Sequence, residues 1–164
     1  MPSLTQHFTV RAYLGKQALQ LKNIKSGPTR IIIPITDGFV RGKNFSAQIT
    51  GGGDWPLSNP TTSTLHLNVR LQATTPSGSA LYIHYPGTLK LDDLIQKAFS
   101  RAPDAQSTLS GQHYWFSSPV METDDAEWKW VEDVTWVGQG HMVVEGEGEG
   151  MRVAVEYEVY MVGN

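Results

Sequence analysis

Four charged side chains stand where acid–base chemistry could be done: Asp54, Arg70, Glu122 and Glu132. Each falls near the end of an expected strand or beside aromatic residues, surroundings in which burial and neighbouring charge move a pKa toward a useful value. Asp54 lies within Gly51-Gly52-Gly53-Asp54-Trp55-Pro56. Three glycines admit backbone angles closed to other residues and Pro56 fixes the exit, so a tight turn is expected to aim the carboxylate and the indole. An acid beside a flat apolar ring suits a small-molecule site. The same stretch also reads as a plain hairpin corner, with Asp54 bonding its own backbone and Trp55 filling the core.

Other chemistries lack their residues. There is no Gly-x-Ser-x-Gly elbow, phosphate-cradling loop, dinucleotide fingerprint or His-Glu-x-x-His. His7, His66, His84, His113 and His141 sit on separate elements at spacings that define no metal motif. Glu145, Glu147 and Glu149 alternate with glycines along an extended tip, which does not converge the oxygens that calcium needs. With no cysteine, disulfides, thiolate catalysis and Cys-type zinc sites are excluded. No metal and no cofactor is expected, and side-chain acid–base chemistry remains.

The elements that must position these groups read as strands. Gln6 to Leu14 alternates, with Phe8, Val10, Ala12 and Leu14 on one face. Arg30 to Ile35 is a continuous apolar run, expected to be buried on both faces and held to an edge or an end by Pro34, after which Asp37-Gly38 should turn the chain. Phe39 to Thr50, interrupted at Gly42, suggests a bulged strand leading into the glycine turn. Thr64 to Ala73 puts Leu65, Leu67, Val69 and Leu71 on one face and His66, Asn68, Arg70 and Gln72 on the other, and should pair as a hairpin with Ala80 to Tyr85. Leu91 to Arg101 has helical spacing, acids at its start, bases at its end and Pro103 beyond. His113 to Phe116, and the stretches around Trp128, Trp130 and Trp136, supply aromatic strands that line a cavity or fill a core. His141 to Val162 forms a closing hairpin around the acidic tip.

The 164 residues suffice for one domain spanning 1–164, built as an all-β, closed antiparallel barrel of about eight to ten strands with one short helix. A net charge of −3, with Lys and Arg scattered, excludes a nucleic-acid or anionic-membrane footprint. Met1 to Val10 lacks the character of a signal peptide, and nowhere do about 18 apolar residues run together, so no membrane partner and a cytoplasmic location are expected.

An ordered set of residues also resembles the domain-of-unknown-function 3237 family of small β-barrel proteins. It comprises Phe8 and Val10, Pro34-Ile35-Thr36-Asp37-Gly38, the glycine stretch with Asp54 and Trp55, Val69-Arg70, Tyr114, Pro119, Glu122-Thr123, Trp130, Val137-Gly138-Gln139-Gly140 and Val155 to Tyr160. The resemblance implies a closed barrel, a homodimer and no cofactor. Some fungal members look like natural-product cyclases or isomerases that close oxygen heterocycles on polyketide or terpenoid substrates. Asp54, Arg70 and Glu122 match the family pattern and are the implied catalytic set. Phe116 stands where the family often has Arg, Glu132 where it has Asn, and Ser77 where it has Asp, so a relative's substrate does not transfer.

The expected activity is a cofactor-independent cyclisation or isomerisation of a hydrophobic secondary metabolite, for example by adding a hydroxyl to an alkene or an epoxide. Trp55, Tyr82, Tyr114, Phe116 and Trp130 would line the substrate cavity, with Arg41, His66, Asn68 and Glu132 as polar contacts. If the row His66 to Gln72 points inward, Arg70 needs Asp54 or Glu122 as its counter-ion; if the leucine row does, Arg70 is a surface residue. The alternatives are a non-catalytic small-molecule carrier and an interaction protein with a Trp-rich outer surface. The long, alternating last strand would be a hazard if left as a free edge, which also favours a homodimer.

Overall fold

The choice between the two faces of residues 64–74 is decided by cost. Burying a leucine or valine side chain contributes about 1.5–3 kcal/mol, whereas an inward guanidinium without a carboxylate costs several kcal/mol. In the computed structural model, which describes residues 1–164, Leu65, Leu67, Val69 and Leu71 face the core, while His66, Arg70 and Gln72 are exposed and Asn68 is half-buried on the outer face.

The strands are β1 (Ser3–Leu14), β2 (Leu19–Ile24), β3 (Gly27–Gly42), β4 (Phe45–Asp54), β5 (Leu57–Asn59), β6 (Thr64–Thr74), β7 (Ala80–Lys90), β8 (Trp115–Ser117), β9 (Val120–Thr123), β10 (Trp136–Glu145) and β11 (Arg152–Gly163). All pair antiparallel in one sheet. Following the pairings from β1 through β3, β4, β6, β7, β8 and β10 to β11 returns to β1, a ring of eight strands. β2 and β5 pair with the part of β3 that extends past the end of β1. β8 and β9 share one edge of β7: Trp115–Ser117 pairs with Gly87–Leu89, and Val120–Thr123 pairs with Leu81–His84. β8 meets β10 only at Gly138 and Gln139. Beyond that point the β10 edge is covered by an irregular segment. The Thr108 N–H donates to the Met142 carbonyl at 3.0 Å, and the Val144 N–H donates to Ser107 Oγ at 2.8 Å.

Several expected boundaries move. Residues 30–35 are part of the 16-residue β3, which runs straight through Asp37-Gly38, and the turn falls at Gly42–Phe45 instead. That run is buried mainly on one face, with Ile33 and Ile35 inward and Pro34 exposed. The triple glycine is strand, not turn: Gly51, Gly52 and Gly53 belong to β4, next to a register shift against β6. Gly52 has φ +150°, and a Cβ there would stand 2.2 Å from the Arg70 carbonyl oxygen, so the close approach of β6 is what requires glycine. β11 is no free edge, because β1 and β10 flank it along its length. The expected aromatic strand at Trp128–Val131 is a short 3-10 segment, Lys129–Asp133.

The two ends of the ring are closed differently. At the end where β10 begins, Phe8, Phe45, Trp128, Trp130 and Trp136 pack together, with ring centroids 4.6 Å apart for Phe45 and Trp128 and 5.3 Å for Phe8 and Trp136. The Trp136 indole N–H donates to the Val131 carbonyl at 2.9 Å. At the other end lies α1 (Asp93–Ser100), which buries Ile95 and Ala98. The Asp92 carboxylate accepts from the Ile95 N–H at 3.0 Å, and its second oxygen meets Nδ1 of buried His113 at 2.5 Å.

Candidate functional site

Within β4 the strand alternation sends consecutive side chains to opposite faces. Asp54 points into the ring, where it is 9% exposed, and its cross-strand partners are Ile33 and Val69. Trp55 folds back over the outer side of Gly53, where a Cβ would come within 2.9 Å of the indole. Around this pair the backbone is tied down. Asp54 Oδ1 accepts from the Asn68 N–H at 3.0 Å, the Trp55 N–H donates to the Asn68 carbonyl at 3.1 Å, and Arg30 Nη1 donates to the Trp55 carbonyl at 2.7 Å.

Burial pushes the Asp54 carboxyl up to about 6, and the backbone hydrogen bonds from Asn68 and Trp55 only partly oppose it. Further polar groups share the interior. Trp115 Nε1 donates to the Tyr157 hydroxyl at 2.8 Å, and the Tyr157 and Tyr85 rings meet edge to face at 5.1 Å. The Tyr85 hydroxyl is buried without a hydrogen-bond partner, as is Ser117 Oγ. Burial pushes both phenols up, and the charge of Asp54 adds to the effect. The void bounded by Tyr85, Ser117, Met121 and Tyr157 is about 10 Å³, roughly the least that holds one water. The ring interior is therefore filled and offers no substrate-sized space.

Such space lies beneath α1. A cleft of about 550 Å³ has Leu14, Ile33 and Leu65 as its floor and Ile31, Leu91 and Phe99 on its walls, within the range of small-molecule sites. Lys16, Gln20, Ser63, Gln96 and Arg101 are among its polar lining, which includes no Asp or Glu. Asp54 is not part of this lining; it stands beside Ile33 of the floor as its cross-strand partner.

The other expected site residues are distributed over the outer surface. Arg70 donates to Asn68 Oδ1 at 2.9 Å and forms no ion pair with Asp54 or Glu122, so the inward placement weighed for residues 66–72 is overturned by the leucine row. Glu122 is exposed on β9, opposite Tyr82 in register. Glu132 accepts from the Thr123 N–H at 3.0 Å and from Lys129 Nζ at 2.8 Å; the Lys129 contact, with the Thr123 hydrogen bond, holds its carboxyl below the usual range. Arg41 lies over the Phe39 ring at 3.9 Å. His66, Tyr114 and Phe116 do come together, in an open outer groove of about 510 Å³. Trp130 belongs to the aromatic end cluster. Asp54, Arg70 and Glu122 thus do not converge. Tyr85, Tyr157 and the cleft were missed, although Tyr85 continues the inward series Leu81, Ile83 and Tyr157 the series Val153, Val155. No three His, Asp or Glu side chains gather as a metal site requires, and no helix is long and apolar enough to cross a membrane.

Solved structures share this fold at low identity. A conserved protein of unknown function from Rhodopseudomonas palustris superposes with a TM-score of 0.75 at 23% identity, covering 99% of each chain. A β-barrel-like protein from Acinetobacter baumannii gives 0.72 at 19% identity, covering 99% of this chain and 97% of the other. An enzyme from Penicillium herquei gives 0.58 at 14% identity, covering 96% and 95%. No curated protein matches the sequence. Residues 2–162 match the family described as "Protein of unknown function (DUF3237)", and the chain belongs to that family.

Proposed function

We propose that this protein binds a hydrophobic, oxygenated small molecule in the cleft beneath α1 and catalyses its cofactor-independent cyclisation or isomerisation, with Asp54 as the proton donor. The observation that carries this reading is a buried carboxyl group, raised to about 6, whose cross-strand neighbour Ile33 lines the floor of a ligand-sized cleft. Near neutral pH such a group exists in both forms, as a proton-shuttling acid–base catalyst must. Ring closure by hydroalkoxylation asks for little more. A proton passes from the carboxyl to one alkene carbon, the substrate hydroxyl oxygen bonds to the other, and the hydroxyl proton returns to the carboxylate. Contact requires Ile33 and Leu65 to turn aside as the ligand enters, and Tyr85 and Tyr157 keep the carboxyl's surroundings dry from behind. Neither Arg70 nor Glu122 has a part in this step. The Penicillium herquei neighbour is an enzyme, which supports the reading at the level of the fold's capacity only.

A second reading, a carrier that binds without turnover, is favoured by the absence of any carboxylate from the cleft lining itself. Incubation with a panel of prenylated aromatic and polyketide compounds, followed by mass spectrometry, separates the two. Products formed by the wild type and lost in Asp54→Asn, with ligand binding retained, support catalysis. Binding without product in the wild type supports the carrier.

A further inference from the structure

The cleft is not electrically neutral. A second hollow of about 190 Å³ adjoins it, and Leu14, Gly15, Lys16 and Arg101 line both. Arg152 joins the second hollow from β11. Three cations thus border the two spaces, and neither lining contains an Asp or Glu, although acids outnumber bases in the chain as a whole.

The three cations are not equally available. Arg152 is already engaged, with Nη2 2.7 Å from Asp37 Oδ1 and its guanidinium 3.7 Å from the centre of the Tyr13 ring. Lys16 Nζ meets only the Glu149 backbone carbonyl. Arg101 has no carboxylate partner: Nη2 donates to the Leu14 carbonyl at 2.8 Å, and Nε is buried with nothing to receive its proton. Its backbone is held in the left-handed region, φ 52°, by hydrogen bonds from residues 101 and 102 to the Ala98 and Lys97 carbonyls. The helix end thereby fixes where the guanidinium stands, and a guanidinium there keeps its charge while lacking a counter-ion.

We infer that the ligand of this cleft is an amphipathic organic monoanion, whose apolar body packs on Leu14, Ile33, Leu65 and Phe99 and whose carboxylate is received by Arg101 and Lys16. The planar fork of Arg101 suits a carboxylate. A phosphate dianion fits less well, because the C-terminal carbonyls of α1 bring partial negative charge to the same place. The inference rests on the cleft being the binding site and is independent of the role given to Asp54.

The test compares naphthalene-2-acetate with naphthalene-2-acetamide, two probes of one shape that differ in charge, by calorimetry on the wild-type chain. The acid should bind at least about tenfold more tightly than the amide. The preference should vanish in the Lys16→Gln, Arg101→Gln double variant, the acid then binding no more tightly than the amide. Gln96→Trp, at an exposed lining position, should weaken both probes. Equal wild-type affinities would overturn the anion anchor and leave the cleft standing. Failure of both probes to bind would remove the cleft reading and the anchor with it. Acid binding unaffected by Gln96→Trp would place the anion elsewhere and overturn the proposal.

Discussion

Asp54 and Trp55 are neighbours in sequence on opposite sides of one sheet: the carboxyl faces Ile33 and Val69 inside the ring, and the indole lies outside over Gly53. An acid and an aromatic platform so divided cannot grip one ligand between them. Trp55 instead shields the outer side of the backbone from which Asp54 projects, and the carboxyl keeps its raised pKa through burial.

That raised value has a thermodynamic consequence. The folded state holds the Asp54 proton more tightly than the unfolded chain, with a pKa of about 6 against 3.8. Stability from this group is therefore full below about pH 4 and lost as pH rises through about 6, in total on the order of 3 kcal/mol. Asp54→Asn keeps an acceptor for the Asn68 N–H and removes the titration. Urea unfolding at several values between pH 4.5 and 8 should show the variant gaining on the wild type as pH rises. A constant difference would contradict the buried, titrating carboxyl.

The two interior tyrosines should respond oppositely to loss of their hydroxyls. Tyr157→Phe leaves the buried Trp115 N–H without an acceptor and should cost about 1–3 kcal/mol. Tyr85→Phe removes a hydroxyl that has no partner and should be neutral or stabilising. Equal losses in thermal melts would show that the Tyr85 hydroxyl is paired.

Arg70→Ala should change stability by no more than about 0.5 kcal/mol, since the side chain is exposed and meets only Asn68. Turnover, once a substrate is in hand, should be unaffected. A large loss of either would return Arg70 to the site.

The Asp92–His113 contact should set the stability of α1. Asp92→Ala removes the N-cap acceptor and the partner of a buried imidazole, and should cost about 1 kcal/mol or more. Hydrogen exchange should rise over residues 93–100 before it rises in β6 or β7.

The alternation of β1, β6, β7 and β11 was legible because period two survives wherever one face is buried. Which face goes inward was not legible for β6 from periodicity alone, since a polar row can line a cavity. The price of burying Arg70 settles it. The glycines of β4 misled because a run of glycine signals a turn locally, whereas Gly52 answers to the Arg70 carbonyl on a strand distant in sequence. The tryptophans between 115 and 136 were recognisable as a cluster, but not as one end of the ring plus a separate indole on Tyr157. Arg101 signals locally only the basic end of a helix: its isolation from carboxylates exists only once the end of β1 reaches the end of α1.

The eight-stranded ring is also a hoop with a clasp. Where β1, β6, β7 and β11 are zipped along long ladders, β8 joins β10 through Gly138 and Gln139 alone. Opening costs least where the fewest rungs must break, so the hoop is expected to part first beside Ser117, whose buried hydroxyl is unpaired, and next to Tyr157. The passage by which solvent would first reach the dry interior is then set by the shortest strand of the ring.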